Sequence, residues 1–142
     1  MEFQSFRISQ EEKERIREEL TQIVSKQEEV LFAFIFGSFQ DSAGNMPFRD
    51  IDIGVFIKDT DPKEAVYYAL DLSRQLSSSI SYPVDVRIIN EASIPFLFHV
   101  IQGKLIVNKD DDLTSDFMEN VIRRYLDMKP LLHIAAKEAF AS

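Results

Sequence analysis

A chain of 142 residues, 45% hydrophobic and 28% charged, has the make-up of a soluble globular domain and is long enough to bury a core. Its formal net charge of −8 argues against broad electrostatic binding to DNA or RNA, which needs a basic face. With no cysteine it can hold neither a disulfide nor a thiolate metal site, a composition compatible with a cytoplasmic location.

Met1 to Glu19 is charged and has no apolar h-region, so it does not read as a signal peptide. Ser9 to Lys26 reads as a helix: Ser9 and Glu12 have capping-box spacing, and Ile16, Leu20, Ile23 and Val24 form an apolar stripe. Its interleaved Glu, Lys and Arg residues, Lys13 and Arg17 among them, read as a solvated face. Val30 to Phe36 is continuously apolar, which fits a strand buried on both faces and is far too short to cross a bilayer. Gly37-Ser38 ends it.

Phe39 to Arg49 is rich in turn residues and is predicted to be a loop, followed by a strand from Asp50 to Lys58. Asp61-Pro62 supplies a cap and a first-turn proline for a helix running to about Ser79. Val84 to Ile89 is a third strand, Ser93 to Gln102 a short helix closed by Gly103, and Lys104 to Val107 a fourth strand. Leu113 to Phe140 keeps helical spacing, with a kink or break expected at Pro130. The order α-β-β-α-β-α-β-α predicts an α/β (α+β) fold: one mixed sheet of about four strands flanked by helices, in a single domain of residues 1–142 with a C-terminal helical segment of about 112–141. The 12 phenylalanines are assigned to its core; His99, on a Phe-rich helix, reads as a structural histidine and His133 as structural or exposed, and neither builds a zinc site.

Asp50 and Asp52 lie two apart on a predicted strand, so both side chains share a face while Ile51 and Ile53 take the other. Two like charges on one face repel, which a bridging divalent cation or a wet strand end would relieve. Gly54 continues that face, either leaving room beside the carboxylates or serving packing alone. Asp85, between Val84 and Val86, is a carboxylate in an apolar strand and either joins a metal site or pairs with Arg87 or another arginine. Gly37 permits a sharp turn, and Ser38 offers a hydroxyl and an N–H to a phosphate; a plain turn is the alternative.

The order of these features, in "FIFGSFQDSAGNMPFRDIDIGVFI" and "YPVDVRIIN", resembles the nucleotidyltransferase superfamily of the DNA polymerase β type. It is most similar to the minimal nucleotidyltransferase (MNT) antitoxins that accompany HEPN toxins, a likeness strengthened by Tyr125, Asp127, Lys129, Pro130, Leu131 and Leu132 near the C-terminus. The resemblance implies that Asp50, Asp52 and Asp85 are catalytic and hold two Mg²⁺ ions, and that Gly37 and Ser38 contact the triphosphate of ATP. It implies transfer of AMP from ATP to a tyrosine of a HEPN-type toxin partner, with neither direct nucleic-acid binding nor a membrane involved. A non-catalytic antitoxin that neutralises its partner by contact, and a nucleotidyltransferase acting on a small molecule, are the alternatives. The chain departs from many relatives in carrying Gln40 and Asp41 where an Arg-Gly or similar basic element follows Gly-Ser. Arg49, its loop cation, either replaces that charge or pairs with Asp41.

Overall fold

The computed structural model describes residues 4–41, 47–59 and 61–141. The elements run α1 (Gln10–Ser25), β1 (Val30–Phe36), α2 (Ser38–Asp41), β2 (Ile51–Ile57), α3 (Pro62–Ile80), β3 (Val84–Ile88), α4 (Ile94–Ile101), β4 (Lys104–Asn108) and α5 (Asp111–Ala141). The caps fall where the sequence places them. Ser9 Oγ accepts from the Glu12 N–H at 3.1 Å, and Asp61 accepts from the Lys63 N–H at 3.3 Å. Each satisfies an N–H that the first helical turn leaves without a partner.

The strands form one mixed sheet in the order β3-β2-β1-β4. β1 pairs antiparallel with both β2 and β4, and β2 pairs parallel with β3. Period-two alternation then sorts the side chains into two cores. Ala33, Ile35, Ile51, Ile53, Val55, Val84 and Val86 pack with Ile16, Leu20, Leu72 and Leu76 of α1 and α3. Phe32, Phe34 and Phe36 turn the other way, toward Leu97, Val100 and Val121 of α4 and α5. The phenylalanines are largely core residues, as expected. Phe32 stacks on Phe56 with centroids 4.7 Å apart and meets Phe117 edge-on at 5.1 Å. Complete burial of such a ring contributes about 1.5–3 kcal/mol.

Three expectations need correction. The predicted loop opens with a helical turn, α2, because Phe39 is drawn into the core under α1 and is fully buried; residues 42–46 of that loop lie outside the described ones. The solvated face of α1 holds for Arg15, which pairs with Glu12 and Glu19, but Lys13 is fully buried and Arg17 nearly so. Both share the stripe of Ile16, Leu20 and Val24 through i, i+3 and i+4 spacing. Finally, α5 passes through Pro130 without ending. Leu126, whose carbonyl Pro130 leaves without its N–H partner, is exposed, so water can satisfy it. Among the described residues no helix is long and apolar enough to cross a membrane.

Candidate active site

The site lies where β1 ends and β2 begins. Gly37 closes β1 with φ +82°, a left-handed conformation that only glycine adopts without strain. A Cβ at this position would strike the Asp52 carboxylate. The turn is thus pressed against Asp52 itself, and Ser38 follows it, exposed at the start of α2.

Asp52 stands in register with Phe36 on one side and with Asp85 on the other. Parallel neighbours in register put both side chains on one face of the sheet, on strands about 4.8 Å apart. Asp50 precedes β2 and is exposed. Burial pushes the Asp52 carboxyl up to about 6, the negative charges of Asp50 and Asp85 push in the same direction, and Arg87 and His99 partly oppose them. Both of the other predicted carboxylates therefore act on Asp52. Asp85 accepts a hydrogen bond from Arg87 Nε at 3.2 Å, so the ion pair offered as an alternative at this position does form. Among the described residues no three carboxylate or histidine side chains are gathered tightly enough to hold a metal ion as they stand. Gly54 proves to be a packing glycine: a Cβ there would lie 2.9 Å from Ile89 Cγ2 and 3.1 Å from Val100 Cγ1.

Beside Asp52 an open cleft of about 460 Å³ is lined by Ser5, Ser38, Pro47, Phe48, Arg49, Asp50 and Asp52. One wall is fastened by the N-terminal segment, since Phe6 and Phe48 exchange backbone hydrogen bonds of 2.8 and 3.0 Å. Arg49 lines the cleft; the side chain of Asp41, its proposed partner, lies outside the described residues.

Sequence reasoning missed two groups here. Lys13 Nζ donates to the Phe39 carbonyl at 3.4 Å and lies 5.5 and 5.9 Å from the Phe39 and Phe48 ring centroids. Arg17 Nε donates to Gln40 at 3.0 Å. Together they tie α1 to the turn that carries Ser38. The usable signal was positional, because both lie on the apolar stripe of α1. Lys13→Ala is expected to lower stability by about 2–4 kcal/mol in urea titration, and Lys13→Met, which keeps the stem's volume, by less than about 1.5 kcal/mol. The second group is His99. It is exposed rather than part of the core, with its ring edge-on to Phe36 at 5.5 Å.

The family model for polymerase beta nucleotidyltransferases matches residues 18–112. No curated protein is matched by the sequence. Among solved structures, a chain of the tri-AMPylated Shewanella oneidensis HEPN toxin in complex with MNT antitoxin superposes with TM-score 0.68 at 17% identity, over 90% of this chain and 98% of that one. A chain of the toxin–antitoxin MntA–HepT gives TM-score 0.66 at 17% identity, over 89% and 98%. A toxin–antitoxin structure with AMP-PNP gives 0.65 at 19% identity, over 87% and 96%. At this level of identity the likeness establishes a shared fold.

Proposed function

The chain belongs to the polymerase beta nucleotidyltransferase family, and from that premise we propose that it is a Mg²⁺-dependent antitoxin that transfers AMP from ATP to a tyrosine of a HEPN-type toxin. The observation that carries this reading is Asp52, held half-buried against the Gly37 turn with Asp50 and Asp85 acting on it. A half-buried carboxylate pushed toward its protonated form by two neighbouring carboxylates is a poor structural device, and a cation would relieve it.

The donors are hard oxygens, which suit Mg²⁺. Asp50, Asp52 and Asp85 would hold it, and when bound it supplies neutralisation of the triphosphate and activation of the attacking hydroxyl. Ser38 presents its hydroxyl and backbone N–H to phosphate oxygens from the cleft wall. Asp85, on the outer strand β3, would complete the cation site and lie near the incoming hydroxyl. In the reaction the tyrosine oxygen bonds to the α-phosphorus of ATP as the bond to pyrophosphate breaks, and the phenol gives up its proton. The products are AMP-tyrosine and pyrophosphate. The complex whose fold this chain shares contains an AMPylated HEPN toxin, which supports the choice of acceptor.

The Asp85–Arg87 pair and the spread of the carboxylates also support a second reading, an antitoxin that acts by contact alone. Mg-ATP with a radiolabelled α-phosphate, incubated with this chain and a HEPN-type toxin, separates the two. Label on the partner's tyrosine is expected. Partner neutralisation without label, and with no Mg-ATP-dependent thermal shift, would leave only the contact mechanism.

A further inference from the structure

The open cleft is lined by Ser38, Arg49, Asp50 and Asp52. A patch of different chemistry, which shares no residue with that lining, joins Phe36 of β1, Asp85 and Arg87 of β3 and Phe96 and His99 of α4. Phe96 and His99 are one helical turn apart on α4, and both rings meet Phe36 edge-on, at 5.6 and 5.5 Å. The Arg87 guanidinium lies 5.4 Å from the Phe96 centroid while its Nε bonds Asp85 at 3.2 Å. The patch is open to solvent: the Arg87 and Asp85 side chains are 57% and 44% exposed, and His99 is exposed.

The bland account is a surface ion pair of small worth above the edge of the core. It does not explain why two partly or fully accessible rings and a guanidinium gather beside the carboxylates. A stacked ring and guanidinium next to an imidazole suit a planar aromatic group, by edge or face contact. An open patch admits such a group from the surface of a large molecule, where a small substrate would need an enclosing pocket.

We propose that Phe96, His99 and Arg87 form the seat for the acceptor's tyrosine ring, separate from the nucleotide cleft, with the ring's hydroxyl brought beside Asp85. This rests on the transferase reading above and adds the residues that select the acceptor. Phe96 and His99 are positioning residues, since the ring they hold places the reacting oxygen.

The test compares the full chain with Phe96→Leu, His99→Ala and Phe96→Tyr variants, using Mg-ATP and a HEPN-type toxin that the parent chain AMPylates. Phe96→Leu and His99→Ala are expected to raise the KM for the protein acceptor about fivefold to tenfold, as expected for a lost aromatic contact. They should leave the Mg-ATP thermal shift intact, so that the loss is confined to the acceptor side. Phe96→Tyr keeps the ring and the parent KM. An unchanged acceptor KM in the first two variants overturns the seat while the transferase reading stands. Loss of the Mg-ATP shift in them assigns the patch to the nucleotide and overturns it as well. A parent chain that transfers no AMP overturns the reaction itself, and the seat with it.

Discussion

Asp52→Asn is expected to abolish AMP transfer, by about a thousandfold or more, while making the ligand-free chain more stable at neutral pH. The first half follows from position. Asp52 is the central carboxylate, adjoining both Asp50 and Asp85, and an amide there weakens the hold on the cation through which the phosphates are neutralised. The second half follows from linkage. The Asp52 carboxyl is raised from 3.8 to about 6 in the folded chain, chiefly by burial and then by Asp50 and Asp85. The folded state therefore holds its proton more tightly than the unfolded state. Stability from this group is fully present below about pH 4, where both states are protonated, and is lost as the pH rises through about 6. Above that, ionised Asp52 is a liability of about 1–2 kcal/mol, after allowance for its partial contact with water.

Asparagine removes the liability. Chemical denaturation between pH 4 and 8 should show the parent losing stability relative to Asp52→Asn across this window. Added Mg-ATP should reverse the order at pH 7.5, because only the parent gains from binding. A variant less stable than the parent at pH 7.5 without ligand would show that Asp52 is held by compensating charges, and the case for a cation site would fall with it.

Gly37→Ala is expected to separate the site from the fold. The φ of +82° imposes a strain of about 1–2 kcal/mol on any L-residue, a loss that the two cores can absorb. The new methyl group meets a carboxylate, not backbone, and the end of a side chain can swing away. The fold then survives, but Asp52 leaves its place. A displacement of that size costs about a hundredfold in rate, and the Mg-ATP thermal shift should fall in parallel. Gly103→Ala is the contrasting control. Its Cβ would strike the backbone carbonyl of Ile35, which cannot move without disturbing β1, so it should lower stability more than Gly37→Ala. If Gly37→Ala kept full activity, the turn would be no part of the site.

Much of this was legible locally. Capping at Ser9 and Asp61 depends on residues within one helical turn. The opposed faces of Asp52 and of Ile51 and Ile53 follow from the two-residue repeat of a strand, whereas Asp50, expected on the strand beside Asp52, lies before β2. What misled was also local. The turn-rich composition of Phe39 to Arg49 outweighed Phe39, whose burial against α1 builds α2. The charges of Lys13 and Arg17 suggested solvent, although their spacing put them on the buried stripe.

The sequence by itself determined the order of the elements, the alternation that puts Asp52 and Asp85 each on a defined face of its strand, and the glycine that ends β1. These depend on bond geometry and on neighbours a few residues away. Only the tertiary structure decided that β2 and β3 run parallel and in register, bringing Asp52 beside Asp85, and that α4 sets Phe96 and His99 over Phe36. Strand pairing and helix docking join residues far apart in the chain. Their register is set by the fit of whole apolar faces, which no local pattern encodes.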